Sequence, residues 1–96
     1  MNKRSIYRSG HVDVELITIS STDEPYEETT AHYTDVLAVK GRGLVIVRDE
    51  KIHALSEYDA NPKIKFMPTV PFSVCCLRDA PFEFLVVRQL KRESGS

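Results

Sequence analysis

The sequence predicts an all-β chain of about seven strands folded as a small antiparallel barrel or sandwich. Three observations carry that expectation. Short apolar segments recur through residues 33–90, each bounded by Gly, Pro or an Asp-Glu pair, as strands joined by turns would be. No segment shows the capped apolar stripe at i, i+3 and i+4 that an amphipathic helix needs. The order of elements is strand, Gly-x-Gly turn, strand, charged hairpin, strand, Pro-rich corner, strand, which suits a sheet folded onto itself.

Taken in order, residues 1–9 are basic and are expected to form a flexible arm, residues 10–90 a single barrel domain, and residues 91–96 a tail. Residues 11–20 (HVDVELITIS) alternate at Val12, Val14 and Leu16, then resume at Ile17 and Ile19. A one-residue slip of that kind reads as a β-bulge near a bend. The acidic, Pro-containing stretch 20–28 reads as a loop, and residues 29–40, rich in Thr, Val and Tyr, as one long strand. Gly41-Arg42-Gly43 turns the chain into 44–48, and Asp49-Glu50 is the hairpin candidate leading to 51–55. Asp59-Ala60-Asn61-Pro62 precedes a strand at 63–67, and Pro68 and Pro71 bracket a corner before 72–77. Arg78-Asp79-Ala80-Pro81 is the last turn, before 82–90.

Ninety-six residues with 42% hydrophobic and 28% charged content fit one folded domain. A net charge of -1 is uninformative about partners, Lys3, Arg4 and Arg8 alone are thin support for nucleic acid, and no nucleic-acid partner is expected. No run approaches the roughly 20 apolar residues of a membrane span, and the N-terminus lacks the apolar core of a secretory signal. No membrane association is expected, and the expected location is cytoplasmic. Cys75 and Cys76 are adjacent, so on a strand they point to opposite faces. A disulfide between them would be strained and they lack zinc-site spacing, so one buried and one partly exposed thiol are expected.

On a continuous strand over 29–40, Glu28, Thr30, His32, Thr34, Val36 and Ala38 share one face. A polar set pointing into a small barrel is costly unless it meets water, a ligand or its own hydrogen-bond partners. That cost points to a small polar ligand. The competing arrangement makes Ala31, Tyr33, Leu37 and Val39 the core and leaves His32 solvated or internally satisfied. His11 and His53 have no partner spacing. Asp23, Glu24, Glu27 and Glu28 read as a solvated acidic loop, and Arg42, Arg48, Lys51, Lys63 and Lys65 as edge or turn charges.

The segments DVLAVKGRG (35–43), MPTVPFSV (67–74) and APFEFLVV (80–87) together resemble the cupin family. They are similar to its hydrophobic strand entering a Gly-x-Gly turn, its second-motif proline corner and its closing strand. The resemblance spans roughly residues 29–90 and implies a small antiparallel jelly-roll barrel of about seven to eight strands. With Gly41 as the motif glycine, the family's metal-binding glutamate falls at Thr34, its two first-motif histidines at Glu28 and Thr30, and its second-motif histidine at Phe72. None of the four keeps the family's residue. The resemblance therefore implies a degenerate cupin without the usual metal ligands, and neither a metal nor a cofactor is expected. A homodimer is expected, because exposed sheet edges on a short chain invite pairing and cupins commonly dimerise.

Three functions follow. The first is a metal-independent binding module for a small polar ligand, such as a nucleotide or sugar, lined by Thr30, His32, Thr34 and Phe72 with Tyr58 and Arg42 as further ligand-binding candidates. The second is a small protein-interaction or inhibitor protein, its barrel a scaffold packed by Val36, Phe66, Met67 and Phe72. The third is a metal-free sugar-nucleotide epimerase or ketoisomerase pairing His32 with Tyr58, Tyr26 or Tyr33 for proton transfer. Catalysis is the least expected of the three, because such enzymes are longer, and no residue is assigned a catalytic role.

Overall fold

In the computed structural model, the described residues, 1–77 and 79–90, form nine strands in two antiparallel sheets. They are β1 (Asn2–Arg8), β2 (Val12–Ile19), β3 (Tyr26–Thr29), β4 (Thr34–Lys40), β5 (Arg42–Val47), β6 (Lys51–Ser56), β7 (Lys63–Phe66), β8 (Pro71–Cys76) and β9 (Phe82–Gln89). One sheet has the order β1-β2-β9-β4-β7 and the other β3-β8-β5-β6. The expected tail 91–96, and Arg78 of the last turn, lie outside the described residues.

In the central strands, alternate residues face the opposing sheet and pack there. Ile17, Ile19, Val36, Ala38, Phe82, Phe84 and Val86 meet Tyr26, Val45, Leu55, Phe72 and Val74 across the interior. Aromatic contacts tie the layers together: Phe66 stacks on Phe72 with centroids 4.5 Å apart, and Tyr26 meets Phe84 edge-on at 5.7 Å. The two turn glycines answer different demands. Gly41 adopts φ 88°, where a side chain is strained. At Gly43 a Cβ would lie 2.4 Å from the Phe82 ring and 2.8 Å from the Cys75 carbonyl oxygen, so only hydrogen fits.

The structure corrects the sequence reading at four places. Residues 1–9 contain β1, paired antiparallel with β2 and bulged between Ser5 and Tyr7. All seven of its side chains are exposed, so its composition reads as an arm although its backbone completes the β2 ladder. The stretch 29–40 is two strands in different sheets, β3 ending at Thr29 and β4 beginning at Thr34. The crossing between them is held by Thr30. Its amide donates to the Val70 carbonyl at 3.0 Å and its carbonyl accepts from the Thr69 amide at 2.7 Å. Its hydroxyl donates to the Met67 carbonyl and accepts from the Val70 amide, both at 2.8 Å.

Third, β2 has no bulge against β9; the pairing runs without a shift from Val12↔Gln89 to Ile19↔Phe82. The apparent slip arises because β2 is apolar on both faces, with Ile17 and Ile19 inward and Val12, Val14 and Leu16 outward. Fourth, the β5–β6 turn centres on Arg48 and Asp49, with φ 54° and 56° and the Glu50 amide donating to the Val47 carbonyl at 3.0 Å. Two positive φ values make the hairpin turn whose twist matches the strands. Cys75 and Cys76 are not joined in a disulfide, and both are partly buried.

Replacing Thr30 by Val should cost about 1–3 kcal/mol in chemical denaturation, because the Met67 carbonyl and Val70 amide lose their partner in a buried corner. An unchanged midpoint would show that the clasp contributes nothing. The double replacement Arg48→Asn, Asp49→Gly should raise stability by about 1 kcal/mol, since both residues tolerate positive φ better.

Candidate functional site

Cross-strand register builds a polar layer at one end of the barrel. Through the five-stranded sheet it runs Arg8, Asp13, Arg88, Thr34, Phe66, and through the four-stranded sheet Glu28, Phe72, Val47, Lys51. One layer deeper stand Glu15, Val86 and Val36 on one side and Tyr26, Val74 and Val45 on the other. Asp13, Glu15, Arg88, Tyr26 and Glu28 therefore project inward together, above an apolar floor.

Arg88 organises this end. Its Nε donates to Glu28 Oε2 at 2.8 Å and its Nη2 to Glu28 Oε1 at 2.6 Å, a forked pairing that matches guanidinium to carboxylate. Nη2 also reaches the Tyr26 hydroxyl at 3.0 Å, while Nη1 contacts Asp13 Oδ2 at 2.8 Å and Glu15 Oε1 at 2.9 Å. A guanidinium has five N–H groups, and each has a partner here. The Tyr26 hydroxyl donates in turn to Glu28 Oε1. Lys3 lies over the Tyr26 ring, 5.3 Å from its centroid, and Arg8 stands 4.0 Å from Asp13.

The electrostatics follow from that geometry. Burial would raise the Glu28 carboxyl, but hydrogen bonds from Arg88 and Tyr26 and the Arg88 charge outweigh it and hold the group below its ordinary value. Burial, followed by the hydrogen bond to Glu28 and its charge, pushes the Tyr26 phenol well above its usual range. The hydrogen bonds and charge of Glu28, opposed by burial, raise Arg88 further. Tyr26 is consequently a reluctant proton donor at neutral pH.

The six residues singled out from the sequence divide between two places. Thr30, Thr34, His32 and Phe72 gather around the Met67–Val70 corner. Thr30 is engaged in its clasp, the Thr34 hydroxyl donates to the His32 carbonyl at 2.9 Å, and Phe72 is buried against Phe66. His32 is half-buried in the crossing and borders a shallow notch of about 190 Å³ with Ala31, Tyr33 and Pro68. Arg42 and Tyr58 lie at the opposite end, the guanidinium 5.5 Å from the ring centroid. They border an outer groove of about 480 Å³ that also takes in Lys40, Glu57, Pro81 and Glu83. Glu57 accepts the Gly41 amide at 2.6 Å, fixing the groove wall.

The sequence reading missed Arg88, Asp13 and Glu15. Their signal lay in alternation: each occupies an inward phase set by Phe82, Phe84 and Val86 or by Ile17 and Ile19.

The donor set at the family's four ligand positions does not fit a transition metal. Both Glu28 oxygens accept from Arg88, the Thr30 and Thr34 hydroxyls are engaged internally, and Phe72 offers no donor atom. Among the described residues, no group of three or more His, Cys, Asp or Glu is placed to hold a metal ion.

Arg88→Met should destabilise the protein by about 2–3 kcal/mol, less than the 3–5 kcal/mol of a fully buried pair because the cluster is partly hydrated. Because Glu28 has a lowered folded-state pKa, its stabilisation is complete above the unfolded carboxylate value and is lost as pH falls through the folded one. Denaturation midpoints measured from neutral pH down to about pH 3 should therefore fall, and Glu28→Gln should flatten that fall.

No family model matches the chain, and no curated protein matches it. Solved structures do. A cupin superfamily protein from Desulfitobacterium hafniense aligns over 94% of this chain and 77% of its own, at 14% identity and a TM-score of 0.77. An RmlC-like cupin family protein with a double-stranded β-helix fold, from Methanocaldococcus jannaschii, covers 92% and 80% at 17% identity, TM-score 0.75. An RmlC-like cupin from Shewanella frigidimarina covers 95% and 77% at 19% identity, TM-score 0.74. Likeness at such identities is likeness of architecture, and with the two-sheet topology it shows that this chain has the cupin fold, a double-stranded β-helix, with other residues at the family's metal-ligand positions.

Proposed function

We propose that this protein is a metal-independent interaction module whose filled barrel is a scaffold and whose outer surface does the binding. One observation carries the reading: the inward positions of both sheets are occupied by side chains. Val36, Phe66 and Phe72, three of the four residues expected to pack such a scaffold, are buried, while the fourth, Met67, is 65% exposed. At the polar end, Arg88 is neutralised from within by three carboxylates, so its charge is not presented to a ligand. Cys75 and Cys76, not joined in a disulfide, suit the cytoplasmic setting that the reading assumes.

A second reading is favoured by the outer groove beside Arg42 and Tyr58. Its volume of about 480 Å³ lies in the range of small-molecule sites. A planar cation–aromatic pair flanked by Glu57 and Glu83 could hold a small polar ligand there, at the barrel's exterior.

Native mass spectrometry of the purified protein, followed by NMR titration with nucleotides and sugars, separates these. The scaffold reading expects no retained small mass and no ligand-dependent shifts. A stoichiometric small mass with shifts at Thr30, His32 and Thr34 would overturn it, and shifts confined to Arg42, Glu57 and Tyr58 would establish the groove instead. Phe72→Ala should cost about 3–5 kcal/mol if the interior is packed. A cost near zero would mean that Phe72 lines an open lumen.

A further inference from the structure

Arg42 and Tyr58 stand between two depressions. The groove of about 480 Å³ lies on one side, and a second of about 340 Å³ on the other reaches Ala54, Ser56, Asp59 and Leu77. The same guanidinium and ring border both, so the two make one trough at the end of the four-stranded sheet where β5 begins and β6 and β8 finish. The trough is tied in place by its backbone. The Asp59 amide donates to the Ser56 carbonyl and the Glu57 amide to the Gly41 carbonyl, both at 3.1 Å, and the Tyr58 amide to Ser56 Oγ at 3.1 Å. Gly41 is pressed against Pro81, whose carbonyl oxygen would lie 2.7 Å from a Cβ, so the two walls meet without a gap. Yet the Tyr58 ring carried on this turn is 73% exposed. A ring held rigidly in solvent binds a ligand with little ordering cost.

The charges around the ring select what it takes. Lys40 and Arg42 are countered by Glu57, Asp59 and Glu83, and Lys40 stands opposite Glu83 in the β4–β9 register. With bases and acids this evenly mixed, the local field draws neither an anion nor a cation. A neutral ligand rich in hydroxyls does gain, because each hydroxyl donates to a carboxylate or accepts from a guanidinium. One acid lies on each side of the ring, and each is fixed by a backbone amide: Glu57 Oε2 accepts from Gly41 at 2.6 Å and Asp59 Oδ2 from Ser56 at 2.9 Å. Their second oxygens remain as acceptors.

We infer that this trough is a binding site for a neutral oligosaccharide; the inference rests on the groove reading above and names its ligand class. A pyranose has a flat C–H face that packs on an aromatic plane and a rim of hydroxyls that needs mixed donors and acceptors. Arg42 covers one face of Tyr58, 5.5 Å from the centroid, and the sugar ring takes the other. Its hydroxyls reach Arg42 and the carboxylates of Glu57 and Asp59. The depressions on either side of the ring hold the neighbouring sugars, which is why a chain fits better than a monosaccharide. The filled barrel interior takes no part.

The test screens the full chain on an array of neutral oligosaccharides that includes maltohexaose, cellohexaose and chitohexaose, then titrates the tightest of them by amide NMR beside glucose 6-phosphate and AMP. A neutral oligosaccharide is expected to shift Arg42, Glu57 and Tyr58, with an affinity unchanged between low and about 0.5 M salt, since screening acts only on charged ligands. Tyr58→Ala should weaken it about tenfold, whereas Tyr58→Phe, which keeps the ring, should leave it within about twofold. Shifts at those residues from glucose 6-phosphate or AMP and from no neutral sugar overturn the inference and leave the groove reading standing. No shift from any probe overturns both and leaves the scaffold reading. An oligosaccharide that shifts Thr30, His32 and Thr34 instead, or that binds Tyr58→Ala undiminished, also overturns it. Should Tyr58→Ala not fold, nuclear Overhauser contacts between the Tyr58 ring and sugar C–H protons in the unmodified protein decide, and their absence overturns the inference.

Discussion

The Arg88 guanidinium is the constraint on which the rest of this molecule depends. It sits on β9, between β2 and β4 in the five-stranded sheet, yet its fork is satisfied by Glu28 on β3 of the other sheet. One side chain thus ties the two layers together at the end of the barrel where apolar packing stops. Its other donors hold Asp13 and Glu15 on β2. Remove the cation and three carboxylates face one another in a partly dry space, where like charges repel more strongly than in water. The cluster is less a source of net stability than a condition for bringing β3 over β2 and β9 in one register, because a misregistered strand would strand a buried charge.

The same constraint shapes what the fold can do. A metal-binding cupin needs three imidazoles and a carboxylate converging on an accessible ion, which the resemblance places at Glu28, Thr30 and Phe72 and at Thr34 respectively. Here Glu28 is the carboxylate that answers Arg88, and Thr30 and Thr34 have become hydrogen bonds within a corner. Thr30 is telling: buried and polar, it looked like a ligand-facing residue, but its four hydrogen bonds all run to the Met67–Val70 corner. A positive charge remains inside the barrel end, fixed by covalent attachment and already neutralised.

How much of this was legible in the residues depends on which interaction decides each feature. The apolar runs and turn signals located β2, β5, β6, β7, β8 and β9, because local alternation and Gly or Pro punctuation set their limits. β1 was not legible, because its side chains are exposed and only long-range backbone pairing orders it. The break between β3 and β4 was hidden because residues 29–40 have uniform strand propensity, and the crossing is imposed by a clasp to residues nearly 40 positions away. Arg42 and Tyr58 were found as chemistry-bearing residues, but only the fold shows that they lie at the opposite end from His32. Arg88 was passed over because a single arginine in VVRQL reads as a surface charge until its phase with Phe82, Phe84 and Val86 is counted.

That phase count also bears on how copies of this chain could meet. Edge pairing is the usual hazard of a small sheet protein, and three of the four edges here are guarded. β1 has a bulge and carries Lys3, Arg4 and Arg8. β7 has four residues, two of them lysines, and follows Pro62; β3 is equally short and carries Glu27 and Glu28. Short length, bulges and charge are the devices that keep edges from adding strands. β6 is more regular, but Lys51 and His53 stand along it. The faces are treated differently: on β2 the charges Asp13 and Glu15 point into the barrel while Val14 and Leu16 point out, the reverse of what a solitary barrel would favour. The charges of β2 thus serve the interior cluster around Arg88, and its valine and leucine take the outer face in exchange.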